Sequence, residues 1–187
     1  MRSRLVIGLA GMPGAGKSVV VNVARERGYG VVVMGDEVRE EAKRRRLKLT
    51  HENLGKIMLE LRREEGGAVI AKRCIPKIDK MAAPKLIVDG VRCLSEVEEF
   101  SKHFPNFSLM VVRSSPETRF KRLYRRGRGD DPVSWDSFHE RDVRELSVGL
   151  GDVVAVAEHV IVNEEKIEAL KRKVREVLRR VEERWMR

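Results

Sequence analysis

Residues 11–18 read Gly11-Met12-Pro13-Gly14-Ala15-Gly16-Lys17-Ser18, which matches the spacing G-x-x-x-x-G-K-[ST] of a phosphate-binding P-loop. Glycines let the backbone curl until several N–H groups point at one anion. The N-terminus of a following helix adds partial positive charge at the same point. We therefore predict that this loop binds a nucleoside triphosphate. Since the dinucleotide spacing G-x-G-x-x-G is absent from the loop, a dinucleotide is disfavoured.

Two side chains of the loop suit phosphate chemistry. Lys17 can supply a mobile positive charge to the β- and γ-phosphates, and Ser18 can offer its hydroxyl to Mg²⁺. We predict ATP and Mg²⁺ as cofactors, with Lys17 in a catalytic role and Ser18 as a metal ligand. The predicted nucleotide contacts are Gly11, Pro13, Gly14, Ala15, Gly16, Lys17, Ser18 and Val19.

Short apolar runs alternate with helical stretches along the chain. The run Leu5–Ala10 precedes the P-loop, and residues 19–27 after it favour a helix. Runs rich in Val, Ile and Leu are typical of strands buried on both faces, and their alternation with helices predicts a parallel α/β sheet. Residues 1–187 are predicted to form a single domain, since no linker or repeat interrupts them. The other strand candidates are Gly30–Met34, Lys85–Asp89, Ser108–Val112 and His159–Asn163.

The 187-residue chain carries a net charge of +10. That charge suits an anionic ligand such as a nucleotide, and it also suits RNA. Cys74 and Cys93 form no C-x-x-C pair and the four histidines are scattered, so no metal-ligand cluster is predicted from them. No apolar run approaches the roughly 18 residues needed to span a bilayer. We expect an intracellular, cytoplasmic protein without a membrane partner, and the sequence leaves its oligomeric state open.

Residues 36–82 are predicted to form a helical insertion between the second and third strands that binds the acceptor. Thr50 has the character of a helix N-cap. Gly66-Gly67 predicts a break between helices.

Residues 125–145 combine glycines, a proline and several arginines, and we predict a lid there. Arginines that close over the γ-phosphate stabilise the charge that accumulates during transfer and help to exclude water. Asp130 and Asp131 are predicted to be either lid ligands or helix-capping acids. The arginine group comprises Arg122, Arg125, Arg126, Arg128, Arg141 and Arg144, and catalytic roles are assigned to Arg126, Arg128 and Arg141.

Three polar residues lie at or just beyond the ends of the predicted second and third strands. Asp89 ends the third strand, where the shell of a Mg²⁺ ion needs a carboxylate, so we predict Asp89 as a metal ligand. Arg92 lies just beyond it, and Arg39 follows the second strand. Two guanidinium groups from neighbouring strand ends can grip one phosphate bidentately. We therefore predict that both bind the acceptor, and that Arg92 is also catalytic.

Together these segments resemble the nucleoside monophosphate kinase family. They span residues 5–145 and occur along the chain in the same order as in that family. The P-loop is similar to that of adenylate kinases, and Gly35-Asp36-x-x-Arg39 to the family's monophosphate-binding segment. Val88-Asp89-Gly90-Val91-Arg92 resembles its Asp-Gly-Phe-Pro-Arg without the proline. Residues 127–131 resemble the lid of UMP/CMP kinases. Over the whole chain, the sequence is similar to archaeal adenylate kinase-related and dephospho-CoA kinase-like proteins.

The resemblance implies a five-stranded parallel sheet of order 2-3-1-4-5 in a three-layer P-loop fold. It also implies that Gly35 and Asp36 contact the acceptor and that the adenine of ATP lies near Asn163. Val19 stands where the family usually has threonine.

We favour an enzyme that transfers the γ-phosphoryl group of ATP to a small phosphorylated acceptor, with a nucleoside monophosphate first. Such a reaction depends on positioning and charge stabilisation rather than on a protein nucleophile. One alternative acceptor is dephospho-CoA, whose hydroxyl would need a general base, for which Asp36 is the candidate. The other alternative is an ATP-dependent RNA or ribosome assembly factor, supported by the net charge.

Overall fold

The computed structural model describes residues 4–129 and 131–185. The order of the strands is β2-β3-β1-β4-β5 and all neighbours are parallel, so the order predicted from the sequence is confirmed. The strand that leads into the P-loop therefore lies at the centre of the sheet. Within the described ranges the strands are β1 (Leu5–Ala10), β2 (Gly30–Val33), β3 (Lys85–Val91), β4 (Asn106–Arg113) and β5 (His159–Val162).

Helices cover both faces of the sheet. The side chains of β1 point alternately to the two faces, so they belong to two separate apolar clusters. Leu5, Ile7 and Leu9 pack with side chains from α1 and α9, whereas Val6 and Ala10 pack with α2 to α5 and α8. The helices in the described part of the chain are α1 (Lys17–Glu26), α2 (Met34–Arg44), α3 (His51–Glu65), α4 (Val69–Lys80), α5 (Leu94–His103), α6 (Pro116–Arg126), α7 (Trp135–Ser147), α8 (Leu150–Ala155) and α9 (Ile167–Trp185).

Three helices, α2 to α4, lie between β2 and β3. The cap predicted at Thr50 is confirmed, since its Oγ1 accepts the N–H of Asn53 at 3.3 Å. The predicted break is also present, because α3 ends at Gly66 with φ of 93°. Among the described residues, no helix is both long and apolar enough to cross a bilayer.

Four of the five strands differ from their predicted bounds. Strand β4 begins two residues earlier, at Asn106, and ends one residue later, at Arg113, and β5 ends at Val162 instead of Asn163. The other two differences are in β2 and β3. Met34 begins α2 instead of ending β2.

Strand β3 continues two residues past Asp89, to Val91. A bulge at Gly90, with φ of 113°, shifts the register of β3 against β1. Bulges bend a strand and redirect its side chains, and this one lies directly between Asp89 and Arg92.

Candidate active site

The P-loop connects β1 to α1 and depends on its glycines. Gly14 and Gly16 have φ values of 80° and 111°, a region that other residues rarely enter. A Cβ atom on Gly16 would lie 2.4 Å from the amide nitrogen of Asn163. The Lys17 ammonium donates to the carbonyl oxygen of Gly11 at 2.6 Å, and burial lowers the pKa of Lys17. The loop therefore holds its lysine against its own backbone.

Asn163 supports the P-loop from the end of β5. It is buried, and its side-chain amide donates to the carbonyl oxygen of Ala15 at 2.8 Å. Its main-chain carbonyl accepts from Ser114 Oγ at 2.6 Å and from Arg122 at 3.1 Å. Asn163 lines the cleft and also fixes the loop. Arg122 was predicted to be one of the lid arginines, but it donates to the Asn163 carbonyl and so helps to hold the P-loop.

Asp89 faces the same cleft as Ser18. Its Oδ1 is buried and has no hydrogen-bond partner among the described residues. Burial raises the pKa of Asp89, although the cations of Lys17 and Arg92 oppose the shift. A buried, unpartnered carboxylate oxygen is costly unless a ligand satisfies it. The exposed Ser18 hydroxyl and this oxygen are hard donors of the kind that Mg²⁺ prefers, so the two residues fit that ion.

The cleft beside the P-loop has a volume of about 550 Å³. It brings together residues that are far apart in the sequence, from the P-loop, β3, α2, α6, α7 and α9. Most of the side chains predicted for the site line it. They are Pro13, Gly14, Gly16, Lys17, Ser18, Val19, Arg39, Asp89, Arg92, Arg126, Arg128, Arg141 and Asn163.

A second, smaller pocket of about 80 Å³ lies between α2, α3 and α7. Arg39, Arg92 and Arg141 line both this pocket and the P-loop cleft. Gly35 borders it, while the exposed Asp36 pairs with Arg39 at 2.7 Å. The rest of its lining is Val38, His51, Leu54, Gly55, Met58, Arg144 and Glu145.

Arg92 is contacted from three sides. Its Nε lies 3.0 Å from a carboxylate oxygen of Glu145 on α7. Its Nη1 lies 2.9 Å from the sulfur of Met58 on α3. Its main-chain N–H donates to Glu96 at 2.7 Å. The position of this guanidinium group is therefore set by α3, α5 and α7 together.

Glu145 is a buried carboxylate that lies among the cations of Arg92, Arg141 and Lys17. Burial alone would raise its pKa, but Arg92, Arg141 and Lys17 outweigh that effect and lower it. Glu145 is therefore ionised and balances part of the positive charge of the pocket.

The arginines predicted for the lid divide into different environments. Arg126 donates to Asp131 at 2.8 Å, and the main-chain N–H of Arg128 donates to the same carboxylate at 3.0 Å. Arg141 lies 3.9 Å from Asp131, so Asp131 is the anion that these three residues share. The cap of α7 is Ser134, and a capping role for Asp131 was wrong. Asp130 lies outside the described residues.

Besides Arg122, two more of the grouped arginines lie away from Asp131. Arg144 contacts the His51 ring in the smaller pocket. Arg125 is exposed and does not line either pocket.

Sequence reasoning missed four residues around the site. Glu145 and Glu96 contact Arg92, and the buried Arg119 donates to Asp142 on α7 and to Pro13 of the P-loop. One signal was available, because Arg141 and Glu145 are four residues apart on a helix and share a face. Arg119 and Asp142 gave no such signal, since their pairing joins positions 23 residues apart.

Comparison with known proteins supports the fold and gives a family. Residues 10–139 match a protein-family model described as an AAA domain. The chain is 46% identical over 178 residues to a UPF0200 protein of Hyperthermus butylicus, which covers 95% of both sequences. It is also 46% identical over 166 residues to a UPF0200 protein of Methanocaldococcus jannaschii, covering 88% of this chain and 84% of the relative.

Two solved structures with similar folds are kinases. A shikimate kinase from Bacteroides thetaiotaomicron gives a TM-score of 0.61 at 18% identity and covers 94% of this chain and 98% of its own. A gluconokinase from Sinorhizobium meliloti gives 0.58 at 14% identity, with coverages of 100% and 98%. At these identities the likeness establishes the P-loop fold alone, and the nucleoside monophosphate kinase assignment stays a prediction.

Proposed function

This chain belongs to the UPF0200 family, and we propose that it transfers the γ-phosphoryl group of ATP to a small phosphorylated acceptor. A nucleoside monophosphate is the favoured acceptor. The observation that carries the proposal is the junction of two pockets. Arg39, Arg92 and Arg141 line both the P-loop cleft and the pocket between α2, α3 and α7, so a phosphate held by them would face the γ-phosphate.

On the donor side, the P-loop N–H groups would bind the β-phosphate and Lys17 would exchange the Gly11 carbonyl for phosphate oxygens. That exchange is favourable because a phosphate oxygen carries more negative charge than a carbonyl. Ser18 and Asp89 would hold Mg²⁺, which neutralises charge on the β- and γ-phosphates when bound. Asn163 and Arg122 would keep the loop in its binding shape.

On the acceptor side, the charge of the pocket suits a monophosphate, and one apolar wall suits a ring. Four guanidinium groups, from Arg39, Arg92, Arg141 and Arg144, line this pocket, and Glu145 is the one carboxylate among the described residues of its lining. Asp36 pairs with Arg39 and Asp131 lies 3.9 Å from Arg141, so part of this positive charge is balanced from outside the pocket. The remaining positive charge suits an anionic phosphate. Val38, Leu54 and Met58 supply an apolar wall against which a flat base can pack.

In the reaction, an oxygen of the acceptor phosphate attacks the γ-phosphorus. A new P–O bond forms, the bond from the γ-phosphorus to the β–γ bridging oxygen breaks, and ADP leaves with that oxygen. The attacking oxygen is already anionic, so the protein needs no general base. Lys17 and the arginines stabilise the charge on the transferring group.

The lid would be residues 125–145, whose Arg126 and Arg128 would close on the donor. Arg126 and Arg128 contact Asp131 and line the P-loop cleft. A triphosphate carries more charge than one carboxylate, so it would draw these residues from Asp131 towards the phosphates. Hinge positions are available at Gly127 and Gly129.

A substrate screen tests the proposed function. Nucleoside monophosphates and dephospho-CoA are each supplied with ATP and Mg²⁺, and ADP is measured. We expect at least one monophosphate to raise ADP formation well above the rate with ATP alone. ADP formation with dephospho-CoA, and with none of the nucleoside monophosphates, would identify dephospho-CoA as the acceptor instead. Stimulation by RNA alone, with a steep dependence on salt, would favour the assembly-factor alternative.

A further inference from the structure

We propose that Glu96 is a positioning residue for the acceptor site, which fixes the main chain at Arg92 and ties helix α3 to the turn after β3. The inference rests on the proposed function, because it takes Arg92 as the arginine that grips the acceptor phosphate. Glu96 touches neither pocket and would act only through Arg92 and α3.

Glu96 divides its two oxygens between these partners. It lies in the first turn of α5 and is 0% exposed. One oxygen accepts the main-chain N–H of Arg92 at 2.7 Å. The other accepts from the Nη2 of Arg62 on α3. One carboxylate therefore connects the residue that carries the guanidinium group to the helix that forms the pocket wall.

The contacts close into a ring. Arg62 also donates to the main-chain carbonyl of Met58 at 3.3 Å, and the sulfur of Met58 lies 2.9 Å from Nη1 of Arg92. Arg62, Glu96, Arg92 and Met58 therefore define one another's positions. A shift of α3 would move the wall of the pocket and the guanidinium group together.

Stability alone does not account for this ion pair. Removing a carboxylate and a guanidinium group from water is costly, and well-packed apolar residues of similar volume are often as stable or more so. A buried carboxylate with both oxygens engaged does fix geometry, since each hydrogen bond has a preferred distance and direction. Positioning matters at this site because an error of about 1 Å can cost about 100-fold in rate.

The test measures phosphate binding at Arg92 in the full chain. The protein is saturated with Mg²⁺ and the non-hydrolysable ATP analogue adenylyl imidodiphosphate, which fills the P-loop. Inorganic phosphate is then titrated while the Nε–H signal of Arg92 is followed by ¹H–¹⁵N NMR. Because Glu96→Gln leaves Arg62 buried beside a neutral amide and can unfold the chain, the main variant is the double change Arg62→Met with Glu96→Leu, which fills the same space. Glu98→Leu is the control, since Glu98 is an exposed position on the same helix.

We expect the double variant to keep its melting temperature within a few degrees and its affinity for the ATP analogue within about twofold, while the phosphate Kd rises about tenfold or more. The control variant should match the wild type in all three measurements. An unchanged phosphate Kd in a folded double variant would overturn the positioning role and leave the proposed function standing. If phosphate does not move the Arg92 signal in the wild type, the acceptor site itself is wrong, and the proposed function falls with it.

Discussion

The ammonium group of Lys17 lies 2.6 Å from the carbonyl oxygen of Gly11, at the start of the same P-loop. It also donates to the carbonyl of Met12 at 3.4 Å. Because burial lowers the pKa of Lys17, these carbonyls and the nearby carboxylates compensate only part of the cost of its charge. A bound triphosphate would supply the missing anion, so this lysine gains most when substrate is present.

Lys17→Ala should therefore reduce the rate while leaving the fold intact. We expect kcat for ADP formation to fall about 100-fold or more, as when one donor to a transition-state oxyanion is lost. The melting temperature should stay within a few degrees. Lys121→Ala, at an exposed position on α6, is the matched control. Turnover near the wild-type rate in the Lys17 variant would contradict the catalytic role proposed for the P-loop.

Asp89→Asn should separate activity from stability. The carboxylate is buried with an unsatisfied oxygen and a raised pKa, so its neutral isostere should stabilise the metal-free protein by about 1 kcal/mol in urea unfolding. Mg²⁺-dependent turnover should be lost. A variant that turns over normally with Mg²⁺ would contradict the metal-ligand role.

Asp36→Asn should leave turnover with a monophosphate acceptor nearly unchanged, because a phosphate oxygen needs no base. The exposed Asp36 pairs only with Arg39 among the described residues. The measurement is the initial rate of ADP formation with the acceptor that the substrate screen identifies. A loss of 100-fold or more, with the fold intact, would indicate a hydroxyl acceptor and Asp36 as its base.

Glu145→Gln should change how stability depends on pH. Burial opposes ionisation of Glu145, but Arg92 and Arg141 together lower its pKa below the ordinary value of 4.5. A lowered folded pKa means that the carboxylate contributes stability above the unfolded pKa and loses it as pH falls through the folded pKa. We expect the variant to be less stable by about 2 kcal/mol at pH 7, and the difference to shrink as the pH falls below about 4. Urea unfolding over this range measures it, and a difference independent of pH would contradict the ion pair.

Arg92→Lys should affect the acceptor and spare the donor. A lysine cannot reproduce a bidentate guanidinium contact to phosphate, so the acceptor KM should rise about tenfold and kcat should fall, while the ATP KM stays within about twofold. Arg125→Lys, at an exposed position outside both pockets, is the control. A matched loss of ATP and acceptor affinity would place Arg92 in the donor site.

The central part of the fold could be predicted because its signals are local. The P-loop spacing, the apolar strands and the cap at Thr50 each depend on a few adjacent residues. The placement of Asp89, Arg92 and Arg39 around one cleft followed from the strand order that the family resemblance implied, because parallel strands present their carboxyl ends at one edge of the sheet.

The support of the site could not be predicted in the same way. Glu145 and Glu96 are two of 29 acidic residues, and on a charged helix a buried glutamate has the same sequence context as a solvated one. Glu96 contacts Arg62 across 34 positions, and Asn163 contacts Ala15 across 148. Such contacts depend on tertiary packing, and neither helical period nor strand alternation encodes them.

The most direct test of the account is the fate of the γ-phosphorus of ATP. The wild-type protein is incubated with Mg²⁺, ATP and each nucleoside monophosphate, and the products are identified by ³¹P NMR. We expect a nucleoside diphosphate to form from the acceptor in an amount equal to the ADP formed from ATP, with little inorganic phosphate. Release of inorganic phosphate alone, at the same rate with and without every acceptor, would contradict it.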